Sequence, residues 1–141
     1  MLIAVIGAFY WESLFRSGVG PSRSSDGGAV IRWPLGTAKL PGIAVADIGR
    51  CAVGVFAQNS AYVNRTIGIC GEELTGFEIA TALAEVLHIG CAYEPIEPAA
   101  FRRLPFRAAA RIGAMFEYKR DFEHLHRGYR DVALSRSLNR N

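Results

Sequence analysis

Short apolar runs separated by Gly, Pro and polar breaks fill the chain, and their spacing predicts strands alternating with helices. Leu2-Ile-Ala-Val-Ile6 is apolar, partly β-branched and closed by Gly7, which predicts a buried strand. Phe9 to Phe15 predicts a helix leaving that strand, stopped by Gly18, Gly20 and Pro21. Pro21 to Gly28 reads as a polar loop, Ala29 to Trp33 as a short strand, and Ile43 to Val45 as another extended piece. Asp47 reads as an N-cap, because its carboxylate can accept free backbone N–H groups. Ile48, Ala52, Val55 and Phe56 follow at helical spacing, and Asn59 and Ser60 end that helix. Thr66 to Cys70 reads as a strand closed by Gly71.

The sharpest local signal is Thr75-Gly-Phe-Glu78. Its spacing is that of a capping box, in which hydroxyl and carboxylate each satisfy a backbone donor at the helix start. Ile79, Ala80, Leu83, Ala84 and Leu87 continue one apolar face, Gly90 ends the helix, and His88 reads as part of its cap. Cys91 to Ile96 is extended, and Pro98 to Leu104 predicts a short helix. Pro105 suits the first turn of the next helix, whose apolar face is Phe106, Ala109, Ile112, Met115 and Phe116. Residues 1–130 read as a single domain, and 131–141 as a flexible arginine-rich tail that frays from Arg130 onward.

Composition narrows the class. Of 141 residues, 50% are hydrophobic and 21% charged, which excludes a disordered chain. The first apolar run falls far short of the ~20 residues of a membrane helix and lacks a basic leader, so a soluble cytoplasmic protein is expected. Cys51, Cys70 and Cys91 lie in apolar neighbourhoods without C-x-x-C spacing; buried thiols are expected rather than a zinc site. Residues 1–100 carry six basic and nine acidic groups, whereas 101–141 carry ten basic and four acidic. A nucleic-acid contact along Arg102 to Arg140 is one reading of that asymmetry. A solvated helix face is the favoured one, because no aromatic interleaving accompanies the arginines.

Candidate chemistry is sparse. No Gly-rich phosphate loop follows a strand. Asp121-Phe-Glu-His124-Leu-His126 has alternate metal-ligand types, but on a helix alternate residues diverge, so no metal is expected. Ser13, Ser17 and Ser60 lack a histidine partner in a recognisable nucleophile motif, and Glu72 and Glu73 read as electrostatic support for the following helix. Gly7-Ala-Phe9-Tyr10-Trp11-Glu12-Ser13 stands out, because ligands in α/β sheets collect at the carboxyl ends of strands. Three aromatics with two polar side chains can line a flat-ring pocket there, or simply belong to the core.

The order of pieces resembles the C-terminal half of the NmrA-like family, atypical short-chain dehydrogenases/reductases that bind NAD(P). The resemblance is carried by Tyr10-Trp-Glu12-Ser13, Pro34-Leu-Gly36, Val45-Ala-Asp47-Ile-Gly49, Ile67-Gly-Ile69, Leu74-Thr75-Gly-Phe-Glu78, Pro98-Ala-Ala-Phe101 and Met115-Phe-Glu-Tyr118. It implies an α/β fold: the C-terminal portion of a Rossmann-like fold plus a small α+β substrate subdomain, the half with the Gly-rich loop being absent. It implies NADP or NAD as cofactor, with Tyr10, Trp11, Glu12 and Ser13 as cofactor-side positions. The family asparagine is Ser13 here, and a hydroxyl does not reproduce an amide's paired donor and acceptor. No Tyr-x-x-x-Lys pair occurs, so no catalytic residue is assigned.

The resulting expectation is a redox-sensor-like regulatory protein without catalysis as this chain alone, meeting a protein partner, in the cytoplasm or, for a eukaryotic regulator, the nucleus. The alternatives are the substrate-side part of an NAD(P)H-dependent reductase, with Phe101 and Met115 as wall residues, and a nucleic-acid-contacting module. Substrate and partner are not identified by the sequence.

Overall fold

The computed structural model describes residues 2–15, 18–123 and 129–140, with Asn59 described by its backbone alone. It is a mixed α/β fold made of two compact units. The first is built from residues 1–12, 41–73 and 126–141; the second from 13–40 and 74–125.

In the first unit, β1 (Ala4–Ile6), β6 (Thr66–Ile69) and β9 (Arg130–Asp131) form a parallel sheet in the order β1-β6-β9. The register sets Val5 beside Ile67 and Gly68 beside Arg130. A second ladder pairs β2 (Phe9–Tyr10) in parallel with β5 (Lys39–Ile43), Phe9 beside Gly42. Helix α1 (Val45–Ala57) lies over the first sheet. Cys51 and Val55 of α1 join Ile43, Ile67, Ile69 and Leu138 in one buried cluster, and Ile3, Ile48 and Leu134 pack around it. A short α2 (Asn59–Tyr62) leads into β6, and α6 (Val132–Leu138) follows β9. Gly54 lets α1 approach α6: a Cβ there would stand 2.4 Å from the Leu138 carbonyl oxygen.

The second unit centres on β4 (Ala29–Ile31), antiparallel to β3 (Ser22–Arg23) and parallel to β8 (Cys91–Tyr93). Between the units the chain passes along β5 and along β7 (Glu72–Thr75). Helix α3 (Gly76–Leu87) opens on the expected capping box. The Thr75 hydroxyl accepts the Glu78 N–H at 3.2 Å, and Glu78 accepts the Thr75 N–H at 2.7 Å. Helices α4 (Pro98–Arg102) and α5 (Ala109–Phe122) complete the unit. Trp33 and Phe116 stack with centroids 5.0 Å apart, and the Trp33 indole N–H donates to the Val19 carbonyl at 2.9 Å. A buried indole needs that acceptor.

Several elements differ from the sequence reading. Phe9 to Phe15 is not one helix: Phe9 and Tyr10 pair with β5, and only Trp11–Phe15 turns, as a 3-10 helix. Strand pairing claimed the first two residues. Asp47 is not the N-cap; α1 begins two residues earlier, with Ala44 in that position and no side-chain cap of its own. Pro105 precedes α5 by a turn, the N-cap being Ala108. Helix α3 stops before Gly90, because His88 itself adopts the left-handed cap at φ 53°. The segment expected to fray forms β9 and α6. Asp131 caps α6 by accepting the Leu134 N–H at 3.0 Å, and Leu138 is fully buried. Its apolar positions are few, but they reach the cluster under α1.

Candidate functional site

Strand β2 ends at Tyr10, beside Ile43 at the carboxyl end of β5. The 3-10 turn that follows carries Trp11 and Glu12, which end the first unit's opening segment, while Ser13 begins the second unit's.

Each side chain has a definite task. The Trp11 indole lies on Gly42, so closely that a Cβ at Gly42 would fall 2.0 Å from the ring. Phe9 meets the indole edge to face at 5.8 Å. The Glu12 carboxylate accepts the Val45 N–H with both oxygens, at 3.0 and 3.1 Å. Val45 opens α1, so a distant carboxylate supplies the cap that Ala44 cannot, where the helix dipole favours negative charge. Tyr10 is about half exposed, and its ring lies over Gly7, where a Cβ would meet the ring at 3.6 Å. The ledge is therefore fixed from beneath by Trp11 and Glu12 and presents Tyr10 outward. Ser13 is half-buried.

A cleft of about 190 Å³ in the same unit is lined by Ile43, Asp47, Gly71, Ser135, Arg136 and Asn139 among others. Asp47 accepts the Arg50 guanidinium at 2.8 Å and the Asn139 amide N–H at 3.1 Å. The other end of that amide, Asn139 Oδ1, is buried without a hydrogen-bond partner. Ser135 accepts the Cys70 N–H at 2.9 Å and donates to the Asp131 carbonyl at 2.6 Å. Sequence reasoning missed Ser135 and Asn139, because both sit in the segment read as a tail. The available signal was Asp131, a capping residue followed directly by Val132-Ala-Leu134.

The thiols are not poised for nucleophilic work. Burial, aided by the nearby Glu73 carboxylate, pushes Cys70 up to about 11, while its Sγ–H faces the Glu72 carbonyl at 3.0 Å. Burial also raises Cys51 and Cys91. Among the described residues no group of three or more His, Cys, Asp or Glu could hold a metal ion; His124 and His126 lie outside them, as does Ser17.

The second unit has its own cleft of about 290 Å³, walled by Val19, Val30, Leu104, Pro105 and Phe106, with Arg32 at its side. Arg32 pairs with Glu94 at 2.8 Å. Phe101, expected as a substrate wall, is fully buried against Phe106 and Phe116; it is core. The basic C-terminal segment is partly neutralised locally: Arg102 pairs with Glu117, Lys119 with Glu123 and Arg120 with Asp121. No described helix is long and apolar enough to cross a membrane.

A family model, the NmrA-like family, matches residues 4–139. Among solved structures, a Staphylococcus aureus nucleoside-diphosphate-sugar epimerase superposes with a TM-score of 0.70 at 17% identity, over 97% of this chain and 47% of its own. NmrA, a negative transcriptional regulator solved with NAD, gives 0.69 at 16% identity, over 95% of this chain and 47% of its own. The Citrobacter sp. triphenylmethane reductase complexed with NADP(H) gives 0.71 at 15% identity, over 99% of this chain and 50% of its own. The chain thus spans about half the length of these structures.

Proposed function

Since the chain belongs to the NmrA-like family, we propose that it is a nicotinamide-nucleotide-responsive regulatory protein whose Tyr10–Ser13 ledge meets the nicotinamide end of NAD or NADP. As this chain alone it carries out no turnover. One observation carries the reading: Trp11 and Glu12 are spent on holding the ledge, which leaves Tyr10 as an exposed flat ring at the carboxyl end of β2. That suits stacking on a planar heterocycle. The structures solved with NAD and with NADP(H) support a nicotinamide cofactor.

The residues present fit one end of such a cofactor. Tyr10 offers the ring face and Ser13 a hydroxyl, while no G-x-G-x-x-G run supplies a pyrophosphate cradle. Bound NADPH would supply a hydride. Glu12 is occupied by the α1 N-terminus, and the sequence holds no Tyr-x-x-x-Lys pair.

The test is thermal unfolding with and without NADPH, alongside NADPH consumption in the presence of an electron acceptor. At about 100 times the dissociation constant, a ligand stabilises by about 2.7 kcal/mol. The expected result is a raised midpoint that Tyr10→Ala abolishes, with no consumption. A cooperative transition whose midpoint NADPH leaves unmoved overturns the cofactor reading. A second reading, the substrate-side part of a reductase, draws on the apolar cleft beside Arg32; acceptor-dependent NADPH consumption would favour it.

A further inference from the structure

The cleft of about 190 Å³ in the first unit is lined by none of the ledge residues. Ile43 ends β5, Gly71 follows β6, and Asp47 stands in the first turn of α1. Arg136 belongs to α6, and Asn139 is its C-cap. Three segments distant in sequence therefore bring their polar groups to one hollow.

Those groups are unevenly satisfied. Asp47 accepts both the Arg50 guanidinium and the Asn139 amide N–H through one oxygen, Oδ1. Its Oδ2 takes no hydrogen bond from the described residues. A carboxylate only accepts, so it fixes the Asn139 amide with its nitrogen toward Asp47. The amide oxygen then needs a donor from elsewhere, and it is buried without one. An acceptor left in that state is costly, and an arriving donor removes the cost. Arg136 is exposed, and none of the described ion pairs uses it. The other polar groups are engaged: the Cys51 thiol faces the Ser135 carbonyl, and the Ser135 hydroxyl is held by Cys70 and Asp131.

The cleft thus wants N–H donors at Asp47 and Asn139 and an acceptor at Arg136. A simple cation suits Asp47 but is repelled by Arg136, and a simple anion has the opposite difficulty. A molecule with both charges satisfies both ends, through charge-assisted hydrogen bonds, which are stronger than neutral ones. The volume is roughly six times the liquid volume of one water, so the occupant is small.

We propose that this cleft binds a small zwitterionic α-amino acid. Its ammonium meets Asp47 and Asn139, its carboxylate meets Arg136, and its side chain lies toward Ile43. The inference goes beyond the cofactor reading and stands whether or not NADPH binds at the ledge.

The test follows nitrogen–proton correlation NMR spectra of the full chain as L-alanine is added. The titration runs to about 10 mM, enough to fill most of a site with a dissociation constant of ~1 mM. Saturable shifts of the Gly71 amide and the Asn139 side-chain amide are expected. Propionate lacks the ammonium and ethylamine lacks the carboxylate; each should bind at least about tenfold more weakly. Arg136→Gln alters an exposed side chain, so the fold should persist, and L-alanine should bind it at least about tenfold more weakly as well. Shifts that fail to saturate or miss both reporters, equal binding of propionate or ethylamine, or undiminished binding by Arg136→Gln each overturn the proposal. Such a failure is separate from an unmoved NADPH midpoint, which speaks only to the ledge.

Discussion

Glu12 shows how one residue can serve two readings. By sequence it belongs to a cofactor-side motif; in the fold both its oxygens hold the first amide of α1. Removing a helix-capping side chain costs about 0.5–2 kcal/mol. Glu12→Ala is therefore expected to lower the unfolding free energy by an amount in that range, read as a lowered urea midpoint at unchanged slope, and a variant as stable as the parent would show the cap to be idle. Cys70 offers a pH test. Its folded value is about 11 against an ordinary 9.0, chiefly from burial. Above pH 9 the unfolded chain releases this proton while the folded chain keeps it, so the unfolded state binds fewer protons. Stability present below pH 9 is then lost as pH rises through about 11. Cys70→Ala should flatten that alkaline decline in denaturant titrations, whereas identical slopes would remove the thiol from the account.

At the scale of elements, the signals that held were those with strictly local physics. The capping box of α3 needs only Thr75 and Glu78 three residues apart, so it was legible and is present. Thr75→Ala should cost about 1 kcal/mol, read as a lowered melting midpoint. Helix α6 was illegible for the opposite reason. Seven residues with three serine or arginine positions carry no periodic stripe of their own, and the helix is held by Asp131 and by Leu138 in the cluster under α1. Leu138→Ala should cost about 2–5 kcal/mol, measurable as a shifted denaturant midpoint; a loss under about 1 kcal/mol would mean the end of α6 is loosely seated. The α1 start was misplaced because Asp47 looks like a cap, whereas the cap comes from Glu12, 33 positions upstream of Val45.

For the whole molecule, the chain's path matters more than any one element. Each compact unit is assembled from segments far apart in sequence, the first from three. The last segment supplies β9 and α6 to the first unit, so deleting residues 132–141 should uncover Ile43, Cys51 and Val55. Faster amide exchange throughout β6 and a lost cooperative transition are expected. Exchange unchanged in β6 would show that the unit stands without its final helix. The family match along 4–139 and the half-length superpositions describe the same architecture from outside.

The sequence alone determined the alternation of strands and helices, the α3 cap, the burial of Cys51 and Cys70, and the order of motifs that marks the family. These depend on periodicity, on neighbours within one helical turn, or on hydrophobicity, all of which are written locally. Only the tertiary structure decided that Phe9 and Tyr10 pair rather than coil, that Glu12 caps a helix begun more than thirty residues later, and that the arginine-rich end folds back as core. It also decided that Asp47 and Asn139 meet in one cleft. Those outcomes rest on contacts between residues distant along the chain, whose free energy appears only when the segments meet.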